Sequence, residues 1–459
     1  MGDNDRVLNT KQLAQTPQNQ RVPQAPRLFG DNRVYERWRW QIFAITWLAY
    51  FGFYLTRKSF SVAKIEIGEG TAIGLTQAQM AWIDGAFLTA YAIGQFVWGV
   101  AGDKYGTRKI ILGGMLCSVL TAVGMGVSST ALVFGLFFFL QGVSQSTGWA
   151  PLSKNIANFF SQRERGAVMG AWCTNYAVGG LVASIYAGYV GQRFGWRYAF
   201  IFPAATLFVI LILFFLFQKN RPEDAGLPPI EQYHGETPAA LDKPDALAGE
   251  ADGSWKVILD VLRNPVVLLL AGVYFCLKPA RYAILFWGPK YISDKLGTGM
   301  AESGFLSALF ELAGPIAILV GGVLSDRVFG ARRMPVAIIS LFALAVMIYF
   351  LDDLPATRFV LGATLFLIGL LTYAPDSLIS GTAAIDFGTK KGASTASGLI
   401  NGAGSIGAIV GGTIPGFFQK QWGWQGVFTF LAVAVLLAAL LLLPKWNALP
   451  ASQRSPTQQ

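Results

Sequence analysis

From Trp38 onward the chain alternates between long apolar runs and short charged punctuation. The runs last roughly 20 residues, enough for a helix rising 1.5 Å per residue to cross a ~30 Å hydrocarbon core. They fall at 38–64, 78–100, 109–128, 131–155, 165–190 and 195–218, then at 262–292, 302–324, 334–351, 357–382, 391–416 and 422–445. This predicts an all-α membrane protein of twelve transmembrane helices in two six-helix bundles, 37–218 and 262–445. Between them, 219–261 is polar, acidic and proline-bearing, and reads as a cytoplasmic linker. Residues 1–36, rich in Gln, Asn, Pro and Arg, read as a disordered cytoplasmic tail, and 446–459 as a second, shorter one.

Composition strengthens this reading. Hydrophobic residues make up 53% and charged residues 14%, against about 25% charged in ordinary soluble chains. The net charge of +10 comes from Lys and Arg at the loop ends of apolar segments, the signature of membrane topology rather than of a nucleic-acid face. With the N-terminus inside, roughly 25 of these residues gather on the side of the termini and about seven opposite, which places both termini in the cytoplasm. The short loops and tail favour a bacterial inner membrane. Cys117, Cys173 and Cys276 are scattered through apolar runs, and His234 stands alone in a polar loop. No metal site, cofactor or enzymatic nucleophile–base pair is expected, and the chain is expected to work as a monomer.

The two halves repeat. The loop after the second segment runs Gly99, Asp103, Lys104, Gly106, then basic residues; the loop after the eighth runs Gly322, Asp326, Arg327, Gly330, then basic residues. Asp326 follows Asp103 by 223 residues, and Gly423-Trp424 follows Gly195-Trp196 by 228. Two landmarks at nearly one spacing indicate a duplicated six-helix unit. Asp103 and Asp326 are expected to latch the halves in one access state. The rival reading is that these loops serve insertion alone.

Charges inside apolar helices cost roughly 2.5–3.5 kcal/mol each on insertion scales and mark function by default. Arg281 lies within VVLLLAGVYFCLKPARYAILFWGPKYI, with Lys278 one turn earlier and Pro279 between them. Arg57 and Lys58 lie beyond the middle of the first segment, and Arg281 follows Arg57 by 224 residues, the repeat spacing again. The two arginines are therefore pseudo-symmetry mates facing an interdomain cleft. Two guanidinium groups require an anion, and their planar forks suit phosphate or carboxylate. With Lys58 and Lys278 the site holds up to four positive charges, a better match to a dianionic phosphate than to a monocarboxylate. The alternative for Lys58 and Lys278 is snorkelling to the headgroups. Glu311 and Asp376 interrupt apolar helices of the second half; they are expected to pair with Arg281 or Lys278 in the empty site, or else to carry protons. Tyr50 and Tyr54 precede Arg57 by seven and three positions and share its face.

These residues resemble the organophosphate:phosphate antiporter family of the major facilitator superfamily, over about 37–443. The resemblance rests on Tyr50, Tyr54, Arg57 and Lys58, on QGVSQSTGWAPLSKNIANFFSQRERG at 141–166, on RPEDAGLPPIEQY at 221–233, and on the stretches around Arg281 and Glu311. It implies exchange of inorganic phosphate for an organic phosphate ester, with Arg57 and Arg281 gripping the phosphoryl group and Tyr91, Trp149, Tyr176 and Tyr373 lining the cleft. Tyr176 stands where glycerol-3-phosphate members carry a His, and Gln95 where they carry a Lys. Ile400 replaces a Lys of the hexose-phosphate members, and Phe286 an acid often found five residues after the second arginine. Lys278 and Asp376 look like local replacements. The identity of the ester is thus open. A proton-coupled symporter of an organic anion and a transporter-like sensor of sugar phosphate are the competing classes.

Overall fold

The computed structural model describes residues 32–68, 71, 73–234, 263–330, 332–383 and 393–447. Most of the expected tails (1–36 and 446–459) and the later part of the linker (219–261) lie outside the described residues. Within them the chain is helical, with no strand. The first half comprises α1 (Arg33–Arg57), α2 (Ser59–Ala63), α3 (Gln77–Tyr105), α4 (Thr107–Val127), α5 (Ala131–Gln145), α6 (Trp149–Phe159), α7 (Gln162–Trp172), α8 (Thr174–Phe194) and α9 (Tyr198–Phe217). The second half comprises α10 (Pro265–Leu296), α11 (Met300–Arg327), α12 (Arg333–Tyr349), α13 (Arg358–Ser377) and α14 (Ala393–Leu442).

Among the described residues, eight stretches are long and apolar enough to cross a membrane, and one of them, Gly398–Lys445, holds two crossings broken at Gly423. Three further crossings are α1 with α2, α3, and the 17-residue α12. The first two are rich in Trp, Tyr, Gln and charge, so their hydropathy is low although they span. Together these give the twelve helices expected. Two expected segments are each divided: 131–155 into α5 and α6, and 165–190 into α7 and α8.

The repeated landmarks have a backbone reason. Gly106 (φ 85°), Gly330 (φ 58°), Gly195 (φ 98°) and Gly423 (φ 64°) all adopt positive φ, which a side chain with a Cβ disfavours. Each half therefore turns sharply between its second and third helices and between its fifth and sixth. The linker begins with an ordered turn: Asn220 Oδ1 accepts from Thr107 Oγ1 (2.7 Å) and from the Arg108 backbone N–H (2.9 Å). Tyr233 then stacks on Tyr35 at 3.9 Å between ring centroids.

The halves close on the side remote from the termini. There α3 meets α14, where a Cβ on Gly416 would lie 2.4 Å from the Gln77 carbonyl oxygen, and α8 meets α11, where a Cβ on Gly304 would lie 2.5 Å from that of Ser184. Gln192 of α8 accepts from the Ala301 backbone N–H at 2.8 Å, capping α11 across the interface. Because the clash at Gly304 is with backbone, Gly304→Ala must push α8 and α11 apart. Overpacking of this kind costs about 1–3 kcal/mol, so a cysteine placed at buried Ala81 on the same face is expected to react roughly tenfold faster with an impermeant maleimide.

Candidate anion-binding site between the two halves

The first element of the site is the end of α1. Arg57 is 5% exposed, and its guanidinium lies between two rings, 4.5 Å from the centroid of Tyr54 and 4.6 Å from that of Tyr91. Its Nε donates to Gln145 Oε1 at 2.8 Å. No carboxylate among the described residues forms an ion pair with it, and Nη2 is buried without a partner. The helical division between α5 and α6 brings the neighbours in. Ser146 and Thr147 bond back to the carbonyls of Val143 (2.6 Å) and Ser144 (2.7 Å), and Gly148 lets the chain lie against Tyr50 and Phe53. Trp149 then packs 5.5 Å from Tyr50, whose hydroxyl meets that of Tyr91 at 3.4 Å.

The second element is α10, opposite. Asp376 of α13 holds two cations at once, Lys278 at 3.0 Å and Arg281 at 2.8 Å. Arg281 lies 4.5 Å from the ring of Tyr373 and 5.9 Å from that of Tyr176, which belongs to the first half. Its Nε is buried without a partner. The rings of Tyr54 and Tyr176 lie 6.4 Å apart between centroids. One belt of tyrosines thus connects Arg57 to Arg281.

Lys58 and Glu311 depart from expectation. Lys58 does not reach toward headgroups, because it is 1% exposed. Its Nζ donates to the Leu285 carbonyl at 2.8 Å and lies 3.6 Å from Glu311 Oε1. That carbonyl is free because Pro289, four residues on, has no N–H to offer it. Glu311 accordingly pairs with Lys58 instead of Arg281 or Lys278, and it also accepts from the Tyr373 hydroxyl at 2.6 Å. Gly180 of α8 leaves room for this carboxylate, since a Cβ there would lie 2.8 Å from Glu311 Cδ. The side chains of Asp103 and Asp326 lie outside the described atoms, so the latch expected of them has no structural account.

Three polar residues near the site were not singled out from the sequence. Gln145 is the partner of Arg57. Lys64 and Asp84, both 0% exposed, form an ion pair within the first half. Lys64 also donates to the Phe286 carbonyl at 3.0 Å and sits 4.0 Å from the ring of Trp287, both in the second half. Asp84 carried a readable signal, a lone acid within the apolar stretch AWIDGAFL. Lys64 fell at the expected end of its helix, where a lysine attracts no notice.

Compared with known families, the chain matches the Major Facilitator Superfamily over residues 46–376 and 280–458. The chain belongs to that superfamily. It is 30% identical over 434 residues to a protein named probable hexose phosphate transport protein from Chlamydia pneumoniae, covering 92% of this chain and 94% of the other. It is 31% identical over 424 residues to the glycerol-3-phosphate transporter of Bacillus subtilis, covering 90% and 94%. The fold also matches a solved bacterial homologue of the human lysosomal transporter Spinster in an inward-facing, occupied conformation, with a TM-score of 0.71 at 13% identity over 91% of this chain and 99% of that one. This superfamily member is a multi-pass integral membrane protein with a transporter fold, and not an enzyme. Its likeness to transporters named for two different phosphate esters agrees with the family resemblance read from Tyr50, Tyr54, Arg57 and Lys58.

Proposed function

We propose that the protein exchanges inorganic phosphate for an organic phosphate ester, a sugar phosphate or glycerol-3-phosphate, across a bacterial inner membrane. The observation that carries this is Arg57, a buried guanidinium with no carboxylate partner among the described residues, set across a tyrosine belt from its pseudo-symmetry mate Arg281. A buried charge is costly unless paired, so an anion is what completes the site. Lys278, Arg281 and Asp376 sum formally to one positive charge, Lys58 and Glu311 cancel, and Arg57 adds one more. A formal excess of two matches a phosphoryl dianion. The names of relatives supply the ester class; the aromatic walls at Tyr50, Trp149 and Tyr176 would meet its carbon skeleton.

In the proposed cycle the ligand bridges Arg57 and Arg281, drawing the two halves together around it. Its oxygens displace Asp376 from Arg281, so the empty and filled sites differ in how their charges are compensated. Only a filled site then reorients cheaply, which enforces exchange. By the positive-inside count the termini are cytoplasmic, so the closed far side is periplasmic and the arrangement described is inward-facing. One chain contains both arginines, so a monomer suffices.

Asp376→Asn tests the displacement step. Without the carboxylate the ligand meets no competitor, and apparent phosphate affinity is expected to rise about tenfold while maximal exchange falls, because release becomes slow. Unchanged affinity with unchanged rate contradicts the step. The function itself is tested by uptake of radiolabelled phosphate into liposomes containing purified protein. Uptake is expected into phosphate-loaded vesicles, not into unloaded ones, and one ester class should inhibit it. Uptake that requires an imposed pH gradient indicates a proton symporter, and ester binding without flux indicates a sensor.

A further inference from the structure

We infer that Gln145 determines the charge selectivity of the site, by holding Arg57 in place through a neutral acceptor. This rests on the reading of Arg57 as a phosphoryl ligand. Gln145 is the last residue of α5, where the helix divides, and it is 0% exposed. Its amide orientation is defined on both sides. Nε2 donates to Thr56 Oγ1 at 3.0 Å and approaches Ser118 Oγ at 3.4 Å, which turns Oε1 toward Arg57 Nε at 2.8 Å. Thr56 Oγ1 and Ser118 Oγ are themselves 3.3 Å apart. The cluster therefore ties α1, α4 and α5 into one rigid support directly behind the arginine.

Two consequences follow from the chemistry of an amide at this position. It occupies Nε, the inner edge of the guanidinium, and leaves Nη2 unpartnered. It also takes no charge from Arg57, whereas the second arginine shares a full carboxylate with Lys278. A glutamate at 145 would make the same contact geometrically, since the hydroxyls of Thr56 and Ser118 can rotate to donate to it. It would cancel the positive charge of Arg57. Gln145 is thus a positioning residue that also keeps the formal excess at two and not one. The ligand class it selects is a tetrahedral dianion over a tetrahedral monoanion.

The test is equilibrium titration of purified full-length protein at pH 8 with inorganic phosphate and with dimethyl phosphate, a tetrahedral monoanion. The wild type is expected to prefer phosphate at least tenfold. Gln145→Glu is expected to fold, to bind phosphate about a hundredfold more weakly, and to lose the preference, because a fixed carboxylate now competes for the guanidinium. Gln145→Met keeps the charge and loses the support. It should weaken phosphate binding about tenfold while retaining the preference for the dianion. Wild-type phosphate affinity and preference in Gln145→Glu would overturn the inference while leaving the proposed function standing. A wild-type protein that binds no phosphate at all would overturn the reading of Arg57 on which both rest.

Discussion

Arg57→Leu is expected to abolish phosphate exchange and, at the same time, to raise the thermal stability of the ligand-free protein. The first effect follows from the loss of a bidentate fork. Hydrogen bonds to a charged group contribute about 1.5–3 kcal/mol each, so losing two predicts a fall of roughly a hundredfold to ten-thousandfold in exchange at subsaturating phosphate. The second follows from the lack of a counter-charge among the described residues. Arg57 is buried with Nη2 unpartnered, and among the described residues its desolvation is offset by Gln145 and the faces of Tyr54, Tyr91 and Phe87. An apolar side chain removes that cost. A purely structural arginine would show the opposite, lower stability on removal. Arg57→Lys should restore little exchange, because one ammonium cannot reproduce the planar fork. Arg281→Ala provides the contrast. It leaves Asp376 with Lys278 alone, so exchange is expected to be lost without a gain in stability. Melting temperatures without ligand, beside initial exchange rates, check both signs.

The second large effect concerns the ion pair of Lys64 and Asp84. Both are completely buried, and Lys64 reaches across to the Phe286 carbonyl and the Trp287 ring. Trp287 in turn donates to the Gly412 carbonyl at 2.8 Å, and Gly412 faces Leu88 and Asp84 of α3. The pair therefore sits in a socket formed by α10 and α14 of the other half, present only while the far face is closed. Removing one member of a buried pair costs about 3–5 kcal/mol, because the other charge is left uncompensated, whereas replacing both by apolar groups is often neutral or stabilising. Lys64→Met and Asp84→Leu, each alone, are expected to drive the far face open. The double substitution should restore closure, and exchange should then be slow because the closed state has lost its desolvation cost. The readout is maleimide reactivity of a cysteine at Ala81. Additive opening in the double variant would contradict this account.

The sequence discloses the fold through run length, and Arg281 and Asp376 through their isolation among apolar neighbours. It discloses the pairing of Arg57 with Arg281 only because the chain is duplicated; without the matched glycines, Arg57 near a helix end would read as a topology signal. The partner of Glu311 depends on Pro289 freeing the Leu285 carbonyl, which draws Lys58 across the interface. That is a three-body arrangement between halves more than 200 residues apart. Gln145 is an uncharged residue within a helix, and nothing in its pattern distinguishes it from a solvated glutamine. The divisions at 146–148 and at Cys173 arise from hydroxyls bonding back to carbonyls and from close contact with α1, neither of which interrupts the apolar run.

The central claim is that one phosphoryl dianion is held by an arginine from each half. It is tested most directly by the rise in melting temperature of purified protein on adding phosphate, compared among wild type, Arg57→Gln and Arg281→Gln. Stabilisation of the wild type and its loss in each variant alone is the predicted result. Stabilisation that survives in either single variant would mean that the ligand does not bridge the halves, and would contradict the account.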